Sequence, residues 1–289
     1  MAKFSPCLWF DGQVEEAAAF YVDAFEEGKI NQVEYYVNSD HQPAGSVLTV
    51  SLTLCGLDFL LLNGGPEFSL TPAISFYVEC ETEAQIDRLW AKLSQGGTVL
   101  MEYGEYPFSP KFGWVNDKYG VSWQLVLARR QQSIAPAFLF TQNHSGQAEA
   151  AMRNWIEIFG EGQVEYIEKN LDGTVVQALF TLHGQPFRVM DGGEFDHAFT
   201  FTMGTSLYID CKDQAEIDRL WNAVTAKGKE WPCGWMEDEY GVSWQTGSKE
   251  LERLLDETNP ERASQVMRAM DQMKKIDLAA LKKVYEENS

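Results

Sequence analysis

Side chains able to do nucleophilic, acid–base or metal chemistry are few and scattered along this chain. There are five cysteines, Cys7, Cys55, Cys80, Cys211 and Cys233. Their number is odd and no CxxC spacing occurs, so they read as free thiols of a reducing compartment, not as a disulfide framework or a zinc site. Cys80 and Cys211 each follow an acidic residue, Glu79 and Asp210, and a neighbouring carboxylate disfavours the thiolate that a nucleophile needs. His41, His144 and His183 fall in predicted turns or loops and His197 precedes a predicted strand; none has a spacing typical of metal ligands. No Ser-His-Asp or Cys-His arrangement is visible. The runs Asn63-Gly64-Gly65 and Asp191-Gly192-Gly193 could cradle an anion on backbone N–H groups, but read first as turns. Asn143-His144-Ser145 matches a glycosylation sequon that a cytoplasmic chain would not use.

Bulk properties narrow the classes further. The 289 residues suggest about two domains. The formal net charge of -20 opposes binding to phosphate backbones, so nucleic acid is not an expected partner. The same charge would favour cationic ligands at long range, although its commonest role is solubility. No apolar run approaches the length of a membrane helix, and the first residues carry no leader-like apolar stretch. The expectation is a cytoplasmic protein without membrane contact.

The elements that must position any site emerge from an internal repeat. Residues 75–93, SFYVECETEAQIDRLWAKL, match 206–224, SLYIDCKDQAEIDRLWNAV, at nine of nineteen positions. Residues 113–124, GWVNDKYGVSWQ, match 234–245, GWMEDEYGVSWQ, at nine of twelve. The starts correspond more loosely, 5–25 with 135–159, the second copy carrying four extra residues around 143–146. The chain therefore divides into a first unit over 1–130, a second over 131–247, and a tail over 248–289.

Within the first unit, an apolar run at 4–10 predicts a strand, and Val14, Ala17, Ala18, Tyr21 and Phe25 recur at helical spacing. Strands are predicted at 30–37, 47–54 and 57–62, with Cys55-Gly56 as a tight turn between the last two. A second cycle follows: a strand at 74–80, a helix at 82–95 capped by Thr82 with Gln85 three residues on, and strands at 98–103, 112–116 and 121–127. Each copy thus reads as two βαβββ modules. The expected class is α+β: in each copy two modules form one curved, mostly antiparallel sheet around a cavity, with helices outside, and helices follow in the tail. Those tail helices begin at Asn259-Pro260 and Asp277, and their stripes (Val266, Met267, Met270, Met273; Leu278, Leu281) must dock on the chain itself or on a second copy.

This order resembles the vicinal-oxygen-chelate superfamily of glyoxalase I, extradiol dioxygenases and bleomycin-resistance proteins. The runs LWFDGQVEEAAAFYVDAF, LLLNGGPEF, ISFYVEC, DRLWAKL and GWVNDKYGVSWQ resemble its PhnB-like branch, whose members are often labelled 3-demethylubiquinone-9 3-methyltransferase. In metal-dependent relatives four side chains from the first and last strands of each module hold one ion. The resemblance puts Gln124 and Gln245 on a position usually held by Glu, Pro6 or Cys7 where the first His is expected, and Ile74 or Ser75 where the second is. Glutamine is a weak ligand without His or carboxylate company, so no metal or other cofactor is predicted, and Gln124 and Gln245 stand only as weak candidates. By strand alternation Ser122, Gln124 and Val126 share one face, while Val121, Trp123 and Leu125 share the other. If Gln124 faces the cavity, Trp123 packs beneath a helix. The pocket candidates are then Trp9, Asn63, Ser75, Tyr77, Trp114, Ser122 and Gln124 in the first copy, and Asp191, Ser206, Tyr208, Trp235, Ser243 and Gln245 in the second. Taken singly, each of these residues reads first as ordinary core or as satisfaction for backbone groups.

An aromatic cavity with a few hydrogen-bonding groups suits a planar or amphipathic small molecule. The reading is a metal-independent small-molecule-binding protein. The alternatives are a glyoxalase-like lyase or isomerase acting on a small oxygenated substrate, and an interaction scaffold that forms a homodimer through its tail or sheet edges. No strand, Gly-rich loop and acidic residue of the kind that seats S-adenosylmethionine is visible, which disfavours methyl transfer.

Overall fold

Four times along the chain a strand is followed by a helix and three further strands. In the computed structural model, which describes residues 3–36, 42–193, 195–255 and 259–287, the first module comprises β1 (Lys3–Phe10), α1 (Val14–Ala24), β2 (Gly28–Tyr35), β3 (Val47–Leu54) and β4 (Leu57–Asn63). The second comprises β5 (Ile74–Cys80), α2 (Glu83–Leu93), β6 (Thr98–Tyr106), β7 (Ser109–Asn116) and β8 (Ser122–Leu127). In the second copy these recur as β9 (Ser133–Phe140), α3 (Ala148–Phe159), β10 (Gly162–Lys169), β11 (Val175–Leu182) and β12 (Gln185–Asp191), then β13 (Thr205–Asp210), α4 (Gln214–Thr225), β14 (Lys229–Glu230), β15 (Trp235–Glu237) and β16 (Ser243–Gly247). The tail is α5 (Lys249–Leu254), α6 (Pro260–Asp271) and α7 (Leu278–Glu287). His41 lies outside the described residues.

Local signals account for these elements. Cys55 and Gly56 adopt φ of 48° and 82°, the two left-handed residues that a tight β-hairpin turn requires. Thr82 accepts the N–H of Gln85 at 3.2 Å, while the Gln85 side chain accepts the N–H of Glu81, a variant of the reciprocal cap. Asn259 caps α6 with Pro260 at its first position, and Asp277 accepts the Ala280 N–H at 2.9 Å at the start of α7.

The α+β class and the four modules match the sequence reading, but the modules are not partnered as expected. One eight-stranded sheet runs β14-β15-β16-β13-β1-β4-β3-β2, the other β10-β11-β12-β9-β5-β8-β7-β6. The first module thus shares a sheet with the fourth, through antiparallel β1 and β13, and the second shares one with the third, through antiparallel β5 and β9. Neither copy closes a sheet by itself. The connection between copies gives the physical reason. Only residues 128–132 separate β8 from β9, and the N–H groups of Ala128 and Arg129 both return to the carbonyl of Cys80. So short a link keeps β9 in the sheet it has just left, where β5 offers a free edge.

Each copy nevertheless keeps a core of its own. In the first, α1 and α2 bury Tyr21, Phe25, Phe59, Phe76 and Trp123 against one another, with Phe59 and Phe76 rings from the two sheets 4.9 Å apart. In the second, Phe138, Trp155, Phe159 and Trp244 do the same, and Phe4 of β1 joins them. The helices α1 to α4 therefore occupy one face of each sheet, and strand alternation turns every second residue to the opposite face. The apolar side chains of the tail, Leu251, Leu254, Val266, Ile276 and Leu281, bury themselves in the second copy's core. Of the two docking sites left open by the sequence, the tail takes its own chain. Among the described residues no helix is long and apolar enough to cross a membrane.

Candidate functional site

The repeated tail of each copy, Asp-x-Tyr-Gly-Val-Ser-Trp-Gln, fixes which residues reach the opposite face. Asp117 accepts hydrogen bonds from Tyr21 Oη, Trp123 Nε1 and the N–H groups of Tyr119 and Val121. Asp238 does the same for Trp155, Trp244, Tyr240 and Val242. Burial pushes both carboxyls up, against four donors that pull them down. With the tryptophan clamped on the helix side, the next residue, Gln124 or Gln245, points the other way.

On that opposite face the four central strands of each sheet form a row. In the first sheet Leu60 (β4) pairs with Cys7 (β1), Cys7 pairs with Ser206 (β13), and Gln245 Nε2 (β16) donates to Ser206 Oγ at 2.6 Å. In the second sheet Arg188 (β12) pairs with Ala137 (β9), Ala137 pairs with Ser75 (β5), and Gln124 Nε2 (β8) donates to Ser75 Oγ at 2.9 Å. Both glutamines are buried, 3% and 8% exposed.

The candidates therefore separate by sheet and not by copy. Trp9 of the first copy meets Trp235 of the second with ring centroids 5.9 Å apart, beside Phe68 at 4.9 Å. Gly64 makes room for it, since a Cβ there would stand 2.2 Å from the Trp9 ring. Ser206, Tyr208, Ser243 and Gln245 share this face, where Tyr208 Oη reaches Glu252 of α5 at 3.4 Å. Burial, then Asp210 and Glu34, hold the Glu252 carboxyl above the usual carboxylate range. Ser243 Oγ is buried without a hydrogen-bond partner. In the second sheet Ser75, Tyr77 and Gln124 are joined by Trp114, whose Nε1 donates to Ser122 Oγ at 2.8 Å.

Two expected pocket residues are elsewhere. Asn63 accepts the Gly12 N–H at 3.0 Å and donates to the Val47 carbonyl at 2.9 Å. Asp191 accepts the N–H groups of Gly146, Ala148 and Val175. Both are spent on holding the turn into α1 or α3, so their parity places them on the helix side. The Gly-Gly runs after them are turns: the N–H groups of Gly64 and Gly65 both go to the Phe10 carbonyl, and that of Gly192 goes to the Phe140 carbonyl.

Four residues in the rows were not among the pocket candidates: Cys7, Leu60, Ala137 and Arg188. Arg188 carries the one sequence signal that could have found it, a cation inside the otherwise apolar strand FRVM where the first copy reads FLLL. Its side chain is 4% exposed. Nη2 donates to Glu79 and Nη1 to Tyr166 Oη, both at 2.8 Å, and the guanidinium carbon lies 4.0 Å from the Tyr77 ring centroid.

The rows do not fit a divalent ion. Such an ion needs charged or imidazole donors. The first row offers an alkyl group, a hydroxyl, a carboxamide and one thiol, Cys7, which burial pushes up to about 11, so a single competent ligand stands among three poor ones. The second offers a methyl, a hydroxyl, a carboxamide and a guanidinium. Among the described residues no group of three or more His, Cys, Asp or Glu is placed to hold a metal. Cys80 and Cys211, both pushed up to about 12 by burial first, are inert thiols. A separate surface cleft of about 390 Å³ between α3 and α4, with Glu157, Arg219, Lys227 and Glu239 in its lining, touches none of the row residues.

Comparison with known proteins agrees with this architecture. The family model described as 3-demethylubiquinone-9 3-methyltransferase matches residues 2–126 and again 132–246. The PhnB protein of Bacillus cereus is 45% identical over 43% of this chain and 98% of its own, with a TM-score of 0.41. Glyoxalase I from Zea mays is 10% identical over 86% of this chain and 93% of its own, with a TM-score of 0.57. A candidate dioxygenase from Bacillus subtilis is 9% identical over 84% of each chain, with a TM-score of 0.52. No curated protein matches the chain. At this identity the glyoxalase and dioxygenase likenesses concern the fold alone.

Proposed function

Because the chain belongs, in both of its copies, to the family described as 3-demethylubiquinone-9 3-methyltransferase, the PhnB-like branch of the vicinal-oxygen-chelate proteins, we propose that it binds a small organic molecule on these sheet faces without a metal ion. The observation that carries this reading is the composition of the two rows. Where a metal-dependent member of the superfamily presents imidazoles and carboxylates, this chain presents Leu60, Cys7, Ser206 and Gln245, or Arg188, Ala137, Ser75 and Gln124. Aromatic side chains flank both rows, Trp9, Trp235 and Tyr208 in one and Tyr77 and Trp114 in the other. They supply apolar contact area, while amides and hydroxyls supply orientation.

A lyase or isomerase on the same scaffold would need a proton acceptor among those central positions, and neither row contains one. The tail has already used its apolar stripe within the chain. A second copy would therefore have to meet this one at the edge strands β2, β6, β10 or β14.

The test is paired. The protein is purified with and without added Ni, Mn, Zn or Fe and its metal content measured, and calorimetry against a panel of small aromatic molecules is run with and without chelator. The expected outcome is substoichiometric metal and chelator-insensitive binding. One metal per row, or binding that disappears with chelator, sinks the proposal.

A further inference from the structure

We propose that the second sheet, but not the first, takes a ligand bearing a carboxylate, and that Arg188 is the group that recognises it. This deepens the binding reading above and rests on it.

The two rows arose from one duplicated unit, yet at one position they differ by a full charge: Leu60 in the first sheet, Arg188 in the second. Burying a guanidinium is costly unless acceptors surround it, and here they do so incompletely. Among the described residues Glu79 is its one ionic partner, at 2.8 Å, and Glu79 is shared with Arg130 at 2.7 Å and with the Ser133 hydroxyl at 3.2 Å. Two guanidinium groups and one carboxylate leave one positive charge in excess. Nη1 rests on the neutral Tyr166 hydroxyl, and Nε, although buried, has no acceptor. Tyr166 Oη also accepts from Gln177 Nε2 at 2.6 Å; with both bonds received, its own O–H is left to donate. One donor of the cation, the buried Nε–H, therefore stands without an acceptor. The groups that act on the Tyr77 phenol, which burial lifts to about 12, are members of this cluster: Arg188 draws it down, Tyr166 and Glu79 push it up, and Arg130 draws it down.

Beside this charge lies an apolar patch, Tyr77, Phe112, Val126 and Ala137 with Trp114 and Met190 packed on it. A planar or alkyl body on that patch with a carboxylate turned to Arg188 would meet a planar fork built for two parallel N–H···O bonds. The first sheet carries more acid than base, with Asp210 and Glu34 acting on the Glu252 carboxyl against Lys249. That balance disfavours an anion there, in keeping with the chain's net charge of -20, whereas the second sheet runs against it.

The experiment uses three probes of one shape and different charge, benzoate, benzamide and benzylammonium, titrated calorimetrically into the full chain and into two variants. Arg188→Leu installs the side chain that the matching position of the other sheet already holds. Glu79→Gln keeps the guanidinium and removes its neutralising partner. The expected result is that benzoate binds more tightly than benzamide, that Arg188→Leu weakens benzoate about tenfold or more, and that Glu79→Gln tightens it. If Arg188→Leu does not fold, Glu79→Gln decides alone, and unchanged or weakened benzoate binding overturns the assignment. Equal affinity for benzoate and benzamide, or benzoate binding indifferent to Arg188, also overturns it while leaving the general binding reading in place. A chain that takes up none of the three probes overturns both.

Discussion

The carboxylate of Asp117 accepts the indole N–H of Trp123 at 2.8 Å, and six residues of sequence separate the two. The same bond recurs between Asp238 and Trp244 at 2.9 Å. A buried tight turn is tied to the strand that follows it, and the tie sets that strand's parity. Trp123 must lie on the helix side, so Gln124 must lie on the other. The most repeated stretch of the chain is thus first a register lock. Whatever the glutamines bind, they are presented by a neighbour that binds nothing.

Replacing Asp117 by Ala leaves Tyr21 Oη, Trp123 Nε1 and two backbone N–H groups buried without their acceptor. Each abandoned buried donor costs about 1–3 kcal/mol. Some regain partners by relaxation, so the expected loss is about 3–5 kcal/mol. Chemical unfolding followed by tryptophan fluorescence checks this, and a loss below about 1 kcal/mol would show that the clamp is ornamental. Asp238→Ala should behave alike.

Alkaline stability tests the burial of Cys7. Its thiol is pushed from an ordinary 9.0 up to about 11, by burial first. Between those values the folded chain keeps a proton that the unfolded chain has released. The stability contributed by the protonated thiol is therefore whole below pH 9 and drains away as pH rises towards 11, by at most about 1.4 kcal/mol per pH unit. Cys7→Ala, which copies Ala137 of the matching position, should unfold with a shallower pH dependence over that interval and the same dependence below it. Parallel slopes from pH 8 to 10.5 would contradict the assignment.

Metal affinity should not return by restoring one ligand. Gln245→Glu adds a carboxylate beside the Cys7 thiol, while Leu60 and Ser206 supply an alkyl group and a weak hydroxyl donor, so at most two competent ligands face the ion where a bound divalent metal needs three or four. Dialysis against zinc or nickel followed by elemental analysis should find no stoichiometric metal. Changing the whole row, Leu60→Glu, Cys7→His, Ser206→His and Gln245→Glu, places four competent donors on adjacent strands and should give one ion per chain. If the single variant loads fully, the row has been misread.

The contrast between what alternation revealed and what it hid is physical. The strands β3 and β5 were legible to the residue, because a half-buried or buried strand bounded by turn residues leaves no other reading for Val47–Leu54 or Ile74–Cys80. Trp123 beneath a helix and Gln124 opposite followed from the same period. The six-residue α5 was invisible, being too short to show a periodic face, and so was the two-residue β14. Asn63 and Asp191 misled because a strand-end amide or carboxylate looks the same whether it meets a ligand or caps a turn. Arg188 lies outside what the repeat displays, because it is the residue that departs from the repeat, and that departure changes the chemistry. Partnering of the modules could not be read at all: β13 repeats β5, so β1 finds the same complementary edge in either copy.

That ambiguity yields a last expectation. Residues 1–130 contain all of the first core but Ile134, and they end both half-sheets at unsatisfied edges, β1 where β13 should be and β5 where β9 should be. Because β13 repeats β5 and β9 repeats β1, two such fragments can satisfy each other, β1 of each pairing with β5 of the other. Bare inner edges of this length do not persist in water. The fragment should therefore be a dimer by light scattering at micromolar concentration, while the intact chain, which carries both partners covalently, has no need of a second copy to complete its sheets. Arg130 sits at the end of the fragment, but Arg188 and Ala137 do not belong to it. In the fragment dimer both rows would carry Leu60 and Cys7 beside Ser75 and Gln124, and the buried cation would be gone. A fragment that stays monomeric and folded would mean that each copy can close its own sheet after all, and that the exchange of modules seen here is a consequence of the short linker alone.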